Sequence, residues 1–194
     1  MRAKGKYEDA LLDANGALEI DSNAASAYIV RGKINISLNQ YSFAIQDFSR
    51  AIELDPQNIM ALYEKGFANA LRGKYDTAAF YYTEAIQAKG SDTLYFEYNK
   101  KNPLKEEYDQ NDVDMSIIKY CRGVAFYMTK NDDKALNDLE FCLSNGYNNA
   151  GSVFLYAGLI YMSKGFTAKG CNYFNLAVTN GNPDAQQYIN KYCK

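Results

Sequence analysis

The sequence predicts an all-α protein, a solenoid of stacked antiparallel helix pairs, and three observations carry that prediction. Small residues recur at a fixed step of 34, as in Ala10, Ala44 and Ala78 and again in Ala17, Ala51 and Ala85. Tyr7, Tyr41 and Tyr75 keep the same step, as do Gly32 and Gly66. The register also survives an insertion. Gly123 and Gly158, Ala135 and Gly170, and Cys142 and Ala177 each lie 35 apart, while Ala78 and Ala135 are separated by one period of 34 plus 23 residues.

A unit of this length holds two helices of roughly a dozen residues each, a helical hairpin. One hairpin cannot bury its own apolar face, so successive units must stack. Small residues at fixed phases are then crossing points, where Ala or Gly lets two helix backbones approach. Ala44 and Ala51 fit that role in the amphipathic stretch "YSFAIQDFSRAIEL".

Taken in order, helices are expected at 7–20, 25–38, 41–54, 59–72, 75–88, 116–129, 132–144, 151–163, 167–179 and 184–192. Asp55-Pro56 and Asn182-Pro183 mark breaks, because the residue before proline avoids the helical region. Gly73, Gly90 and Gly165 punctuate turns. The first unit, 1–24, holds only a second helix with an apolar stripe of Leu11, Leu12 and Leu18. The expectation is therefore a fragment of a longer chain, with repeats or a signal sequence upstream. Units follow at 25–58, 59–92, 116–150 and 151–183, within one solenoid covering 1–194. Residues 184–194 form a polar-faced capping helix, as such arrays require. Residues 93–115 are inserted, mixing Tyr95, Phe96, Tyr98 and Tyr108 with an acidic tail. They read as a solvated excursion with a short helix near 93–100, or as a segment lying on the groove.

Composition narrows the function classes. A net charge of −2 and a pI near 5.3 argue against a nucleic-acid binder. No apolar run reaches the length of a membrane span, and "MRAKGKYEDALL" has no apolar signal core. The absence of histidine removes the commonest general base and metal ligand together. Cysteines 121, 142, 171 and 193 are spaced by 21, 29 and 22, without the close pairs that zinc sites need. They read as mostly buried thiols in a reducing, cytoplasmic setting, with a bridge and export left open. No cofactor or metal is expected. Asn35-Ile36-Ser37 matches a glycosylation acceptor but falls mid-helix.

The spaced residues resemble a known family. In "ASAYIVRGKINISLNQYSFAIQDFSRAIELDP", Tyr28 and Gly32, Tyr41 and Ala44, Phe48 and Ala51, and Pro56 match the pattern of tetratricopeptide repeats. Leu62, Gly66, Tyr75, Ala78, Tyr82 and Ala85 match it again, and residues 116–184 match it more loosely. "AVTNGNPDAQQYI" is also similar to the related Sel-one-like repeats, which close a unit with a glycine turn. The resemblance implies a right-handed superhelix with the first helix of each unit lining a concave face. It implies a non-enzymatic module that binds a partner peptide or helix.

Carried over by phase, the partner groove comprises Ile29, Lys33, Ile36, Met60, Tyr63, Glu64, Phe67 and Leu71, then Tyr120, Val124, Tyr127, Leu155, Tyr156 and Leu159. The carboxylate clamp known in the family is not expected. Lys33 alone has a suitable charge, and Glu64 would repel a carboxylate. What is left is an apolar channel rich in Tyr and Met, either core shared between helices or adaptable contact area for a partner. Self-association through the incomplete first unit is the alternative. An enzymatic reading with Cys121 or Cys193 as nucleophile ranks last, with no base or phosphate cradle beside it.

Overall fold

The computed structural model describes residues 2–88 and 114–193, with side chains from residue 7 onward. Among these the chain is helical throughout, and sequential helices pack as neighbours. Two compact units divide between Met115 and Ser116. The first contains α1 (Arg2–Ile20), α2 (Ala25–Ser37), α3 (Tyr41–Leu54), α4 (Ile59–Leu71) and α5 (Tyr75–Gln87). The second contains α6 (Met115–Met128), α7 (Asp132–Ser144), α8 (Ala150–Ser163), α9 (Thr167–Thr179), a 3-10 turn (Pro183–Ala185) and α10 (Gln186–Tyr192). The short helix expected near 93–100 and the insertion around it lie outside the described residues, up to Asp114 and Met115.

The crossing points form as the period requires. Ala44, Ala51, Ala78, Ala85, Ala135 and Ala177 are all 0% exposed. Each stands beside a larger side chain on the same stripe: Phe48, Tyr82, Leu139 or Phe174, each at most 1% exposed. In three repeats the ring packs against a glycine of the preceding helix. A Cβ on Gly32 would come within 2.5 Å of Phe48, one on Gly66 within 2.8 Å of Tyr82, and one on Gly158 within 2.7 Å of Phe174. The missing methyl is what lets the ring sit there. Packing density of this order tolerates little added volume.

Every turn inside a helix pair has one construction. Asn39, Gly73, Lys130 and Gly165 occupy the same phase, and all have positive φ, between 59° and 81°. The next residue's N–H then donates back to a carbonyl five residues earlier, as from Gln40 to Asn35 at 2.8 Å and from Phe166 to Tyr161 at 2.9 Å. This left-handed closure satisfies carbonyls that the helix end would otherwise leave open.

α1 starts five residues earlier than its sequence pattern suggested, at Arg2. Its apolar stripe divides: Leu18 is buried, Leu11 half-buried, and Leu12 is 73% exposed. Ala17 is exposed, although its phase equivalents Ala51 and Ala85 are fully buried.

At the other end, the expected thiols Cys171 and Cys193 are instead joined as a disulfide, with Cα atoms 5.6 Å apart. The break at Asn182-Pro183 sends α10 back along α9, which brings the two residues together. Tyr188 stacks on Phe174 at 5.3 Å, and Ile189 and Ala185 complete the contact. The inference of a reducing compartment from four thiols thereby loses its basis. Cys121 and Cys142 are thiols, and the Cys142 S–H donates to the Ser116 carbonyl at 3.3 Å.

Candidate functional site

The groove residues expected from the repeat phase fall into two groups, one in each unit. In the first unit Ile29 belongs to the core, with Ala44, Phe48, Ala51, Ala61 and Ala68. Ile36 and Met60 are half-buried against that core. Tyr63 and Phe67 lie one helical turn apart on α4 and stack with ring centroids 6.4 Å apart and planes 10° from parallel. Tyr63 also meets Tyr82 of α5 at 5.9 Å. Leu71 and Val30 stand out at 42% and 48% exposure.

Two charges come together on this face. The Lys33 ammonium lies 3.8 Å from the Glu64 carboxylate, linking α2 to α4. The two side chains differ sharply in surroundings, with Lys33 51% exposed and Glu64 only 11%. Burial among apolar neighbours pushes the Glu64 carboxyl above its ordinary range, and the Lys33 charge offsets only part of that shift. The pair is too long for a direct hydrogen bond. Lys33 is thus paired with an acid of its own chain.

In the second unit the group is a tyrosine cluster. Tyr156 of α8 makes edge contacts with Tyr120 at 6.3 Å and with Tyr127 at 5.4 Å, both on α6. Tyr120 also meets Tyr147 at 5.3 Å. Burial, helped by neighbouring phenols, raises the pKa of Tyr120 and of Tyr127. Val124 is half-buried on the same helix. Leu155 and Leu159 pack instead against the Phe174 core under the cap, so they belong to the interior as much as to any surface.

Phase reasoning passed over one recurrent feature. Asp47 of α3 is 5% exposed and receives both Nε and Nη2 of Arg31 at 3.1 and 2.6 Å, with Asn35 Nδ2 at 3.0 Å. In the second unit Asp138, also 5% exposed, receives Nε and Nη2 of Arg122, both at 2.8 Å. The two pairs share one sequence separation, 16 residues, and one phase. Bidentate geometry and the loss of water make such a pair costly to break from one side. The signal was present in the sequence as Arg31 and Asp47 repeating at Arg122 and Asp138. Charged residues inside amphipathic helices ordinarily read as solvated, which hid it.

Among the described residues there is no cluster of three or more metal-ligating side chains, and no helix is long and apolar enough to cross a membrane.

Known proteins supply the frame for this geometry. The family described as Tetratricopeptide repeat matches residues 25–58. No curated protein matches the chain. Solved structures do. The crystal structure of MamA is 21% identical over 95% of this chain and 94% of its own, with a TM-score of 0.71. YrrB, described as a TPR protein with an unusual peptide-binding site, is 19% identical over 98% of this chain and 86% of its own, at 0.73. PilF of Pseudomonas aeruginosa is 22% identical over 92% of this chain and 71% of its own, at 0.70. With a matching repeat at 25–58 and this architecture shared across nearly its whole length, the chain has the fold of tetratricopeptide-repeat proteins.

Proposed function

We propose that the chain is a non-enzymatic interaction module whose α2–α4 face receives an apolar segment of a partner protein. The observation that carries this reading is the half-buried Tyr63–Phe67 stack on α4, with exposed Leu71 one turn further along that helix and exposed Val30 on α2. Rigid aromatic rings beside exposed aliphatic side chains provide contact area at small conformational cost. The binding of a peptide by YrrB, a neighbour of the same fold, agrees with such a role. The tyrosine cluster of α6 and α8 is proposed as a second contact patch. Recognition of carboxylate tails is disfavoured, because the Glu64 acid lies beside the one suitably placed lysine. Cys193, one of the two thiols considered as a nucleophile, is tied up in a disulfide.

The chain contains no tryptophan, so a panel of apolar peptides each carrying one Trp can be titrated against a silent background. Saturable binding is expected, weakened about tenfold by Phe67→Ala or Tyr63→Ala, the equivalent of roughly 1.4 kcal/mol. Unchanged affinity in both variants removes the α2–α4 face as the site.

A second reading, self-association, draws on α1, where Leu12 is 73% and Ile20 90% exposed beside the uncovered Ala17. Sedimentation over a concentration series tests it, and a strict monomer at the highest concentration rejects it.

A further inference from the structure

The first unit carries a cleft of about 270 Å³ lined by Leu11, Asn15, Arg31, Asn35, Gln40, Phe43, Gln46 and Asp47. It lies between α1 and α3, with α2 as its floor. It is not the α2–α4 face. Arg31 and Lys33 are two positions apart, which turns their side chains ~160° from each other around α2.

Three features make this cleft more than a surface irregularity. Its floor is fixed. Arg31 is held by Asp47 through Nε and Nη2, and donates from Nη1 to Asn15 Oδ1 at 2.9 Å, while Asn35 closes the other side of the carboxylate. Asn35 and Asp47 are both only 5% exposed. The floor is also electrically balanced, one cation against one anion, so it offers little net attraction to an ion.

The walls are amides and hydrocarbon. The side-chain amides of Gln40 and Gln46, and the Asn15 NH₂, make no hydrogen bond among the described residues. They surround an opening edged by Leu11 and by Phe43, which is 59% exposed. Each amide offers a donor, and both glutamines an acceptor as well, which suits a ligand with the same alternation.

The equivalent place one repeat later is occupied. There the residue in the phase of Asp47 is Tyr81, whose ring lies under the Lys65 ammonium at 4.4 Å and against Phe80 at 5.1 Å. In the second unit two residues have that phase: Tyr173 packs on Tyr161 at 5.2 Å with Lys169 above both, and Asp138 is paired with Arg122 as Asp47 is with Arg31. Where Tyr81 and Tyr173 fill the spot with an aromatic ring, Asp47 sets a short carboxylate and leaves room.

We propose that this cleft binds a short uncharged peptide segment, through one main-chain amide against the Gln40, Gln46 and Asn15 amides and one apolar side chain against Phe43 and Leu11. The volume sits just under the roughly 300–1,000 Å³ of pockets that hold whole drug-sized ligands. It accommodates one residue and its flanking peptide units, not a folded domain. A peptide's main chain presents paired N–H and C=O groups, the pattern that the three amides complement. This site is separate from the proposed α2–α4 face, and each stands or falls without the other.

The test is a titration of the ¹⁵N-labelled full chain with acetyl-Ala-Leu-Ala-amide, read from the side-chain NH₂ signals of Gln40, Gln46 and Asn15. Saturable shifts of these signals are expected. Phe43→Ala and Gln46→Ala, both at exposed positions that leave the fold intact, are each expected to weaken binding about fivefold. Tyr63→Ala, on the other face, is expected to change nothing at this cleft. Three results overturn the proposal: no saturable shift, shifts centred on Tyr63 and Phe67, or an equal response to sodium acetate. The last would mark Arg31 as a plain anion site.

Discussion

The two units join one repeat to the next by different chemistry. In the first, Asp21 and Asp55 end their helices and fold back on themselves, each carboxylate accepting the N–H two residues on, at 2.9 and 3.3 Å. Asn58 then caps α4 by accepting the Ala61 N–H at 3.0 Å. In the second unit the same junctions run through Gly146 and Gly181, at φ of 69° and 87°. Tyr147 and Asn182 there donate back to Cys142 and Ala177 at 3.0 and 2.9 Å. One junction is a side-chain turn leading into a capped helix; the other is a left-handed glycine closure. Yet the helix crossings on either side are the same, with Phe48 on Gly32 in one unit and Phe174 on Gly158 in the other. The comparison teaches that ring and glycine set the repeat, and that the junction need only span the gap.

If that is right, the largest effects belong to the crossings and should be alike in both units. Phe48→Ala and Phe174→Ala are each expected to cost about 3–5 kcal/mol, read by urea unfolding of the full chain. A much smaller loss in one unit would show that its junction carries the stability after all.

Next comes the covalent tie, which only the second unit has. Replacing Cys171 and Cys193 together by Ser is expected to cost about 2–4 kcal/mol. Hydrogen exchange should locate the change, with protection lost in α9 and α10 and retained in α2 to α5. Equal loss in both units would show that the bond does not act locally.

The turns inside the pairs come third. Gly165→Ala places a Cβ at φ of 81° and should cost about 1 kcal/mol. Lys130→Gly relieves the same strain, at φ of 63°, and should gain up to about 1 kcal/mol. Matching losses for both variants would mean that backbone strain does not govern these positions.

The smallest effect is a slope with pH. The Glu64 carboxyl is raised above 4.5 by burial, so between that value and its folded pKa the native chain binds more protons than the unfolded one. Stability contributed by the neutral acid is present at lower pH and is lost as pH rises through this window. Glu64→Gln should flatten the slope. An unchanged slope in that variant would assign it to other carboxylates.

Much of the fold was legible because crossings demand small residues at fixed phases, and alanines and glycines betray themselves in a sequence. α3 and α9 begin and end where the pattern placed them, at Tyr41–Leu54 and Thr167–Thr179. The disulfide was not legible. Its partners are 22 residues apart, and only the reversal at Pro183 brings them together. The surroundings of the candidate groove positions were not legible. Ile29 is buried while Tyr63, Tyr120 and Leu155 in the same phase are half-buried, because stacking neighbours decide burial. The cleft beside Arg31 was hidden for another reason: its phase holds a carboxylate at Asp47 and Asp138 and a ring at Tyr81 and Tyr173, and the period alone does not tell which of them leaves room.

The bond between Cys171 and Cys193 closes a ring of chain around the last helix turn. A protease that cut anywhere between those two residues would sever the backbone without releasing a fragment. The nicked protein would keep its terminal helix attached, and loss of that helix would require a reductant as well as a blade.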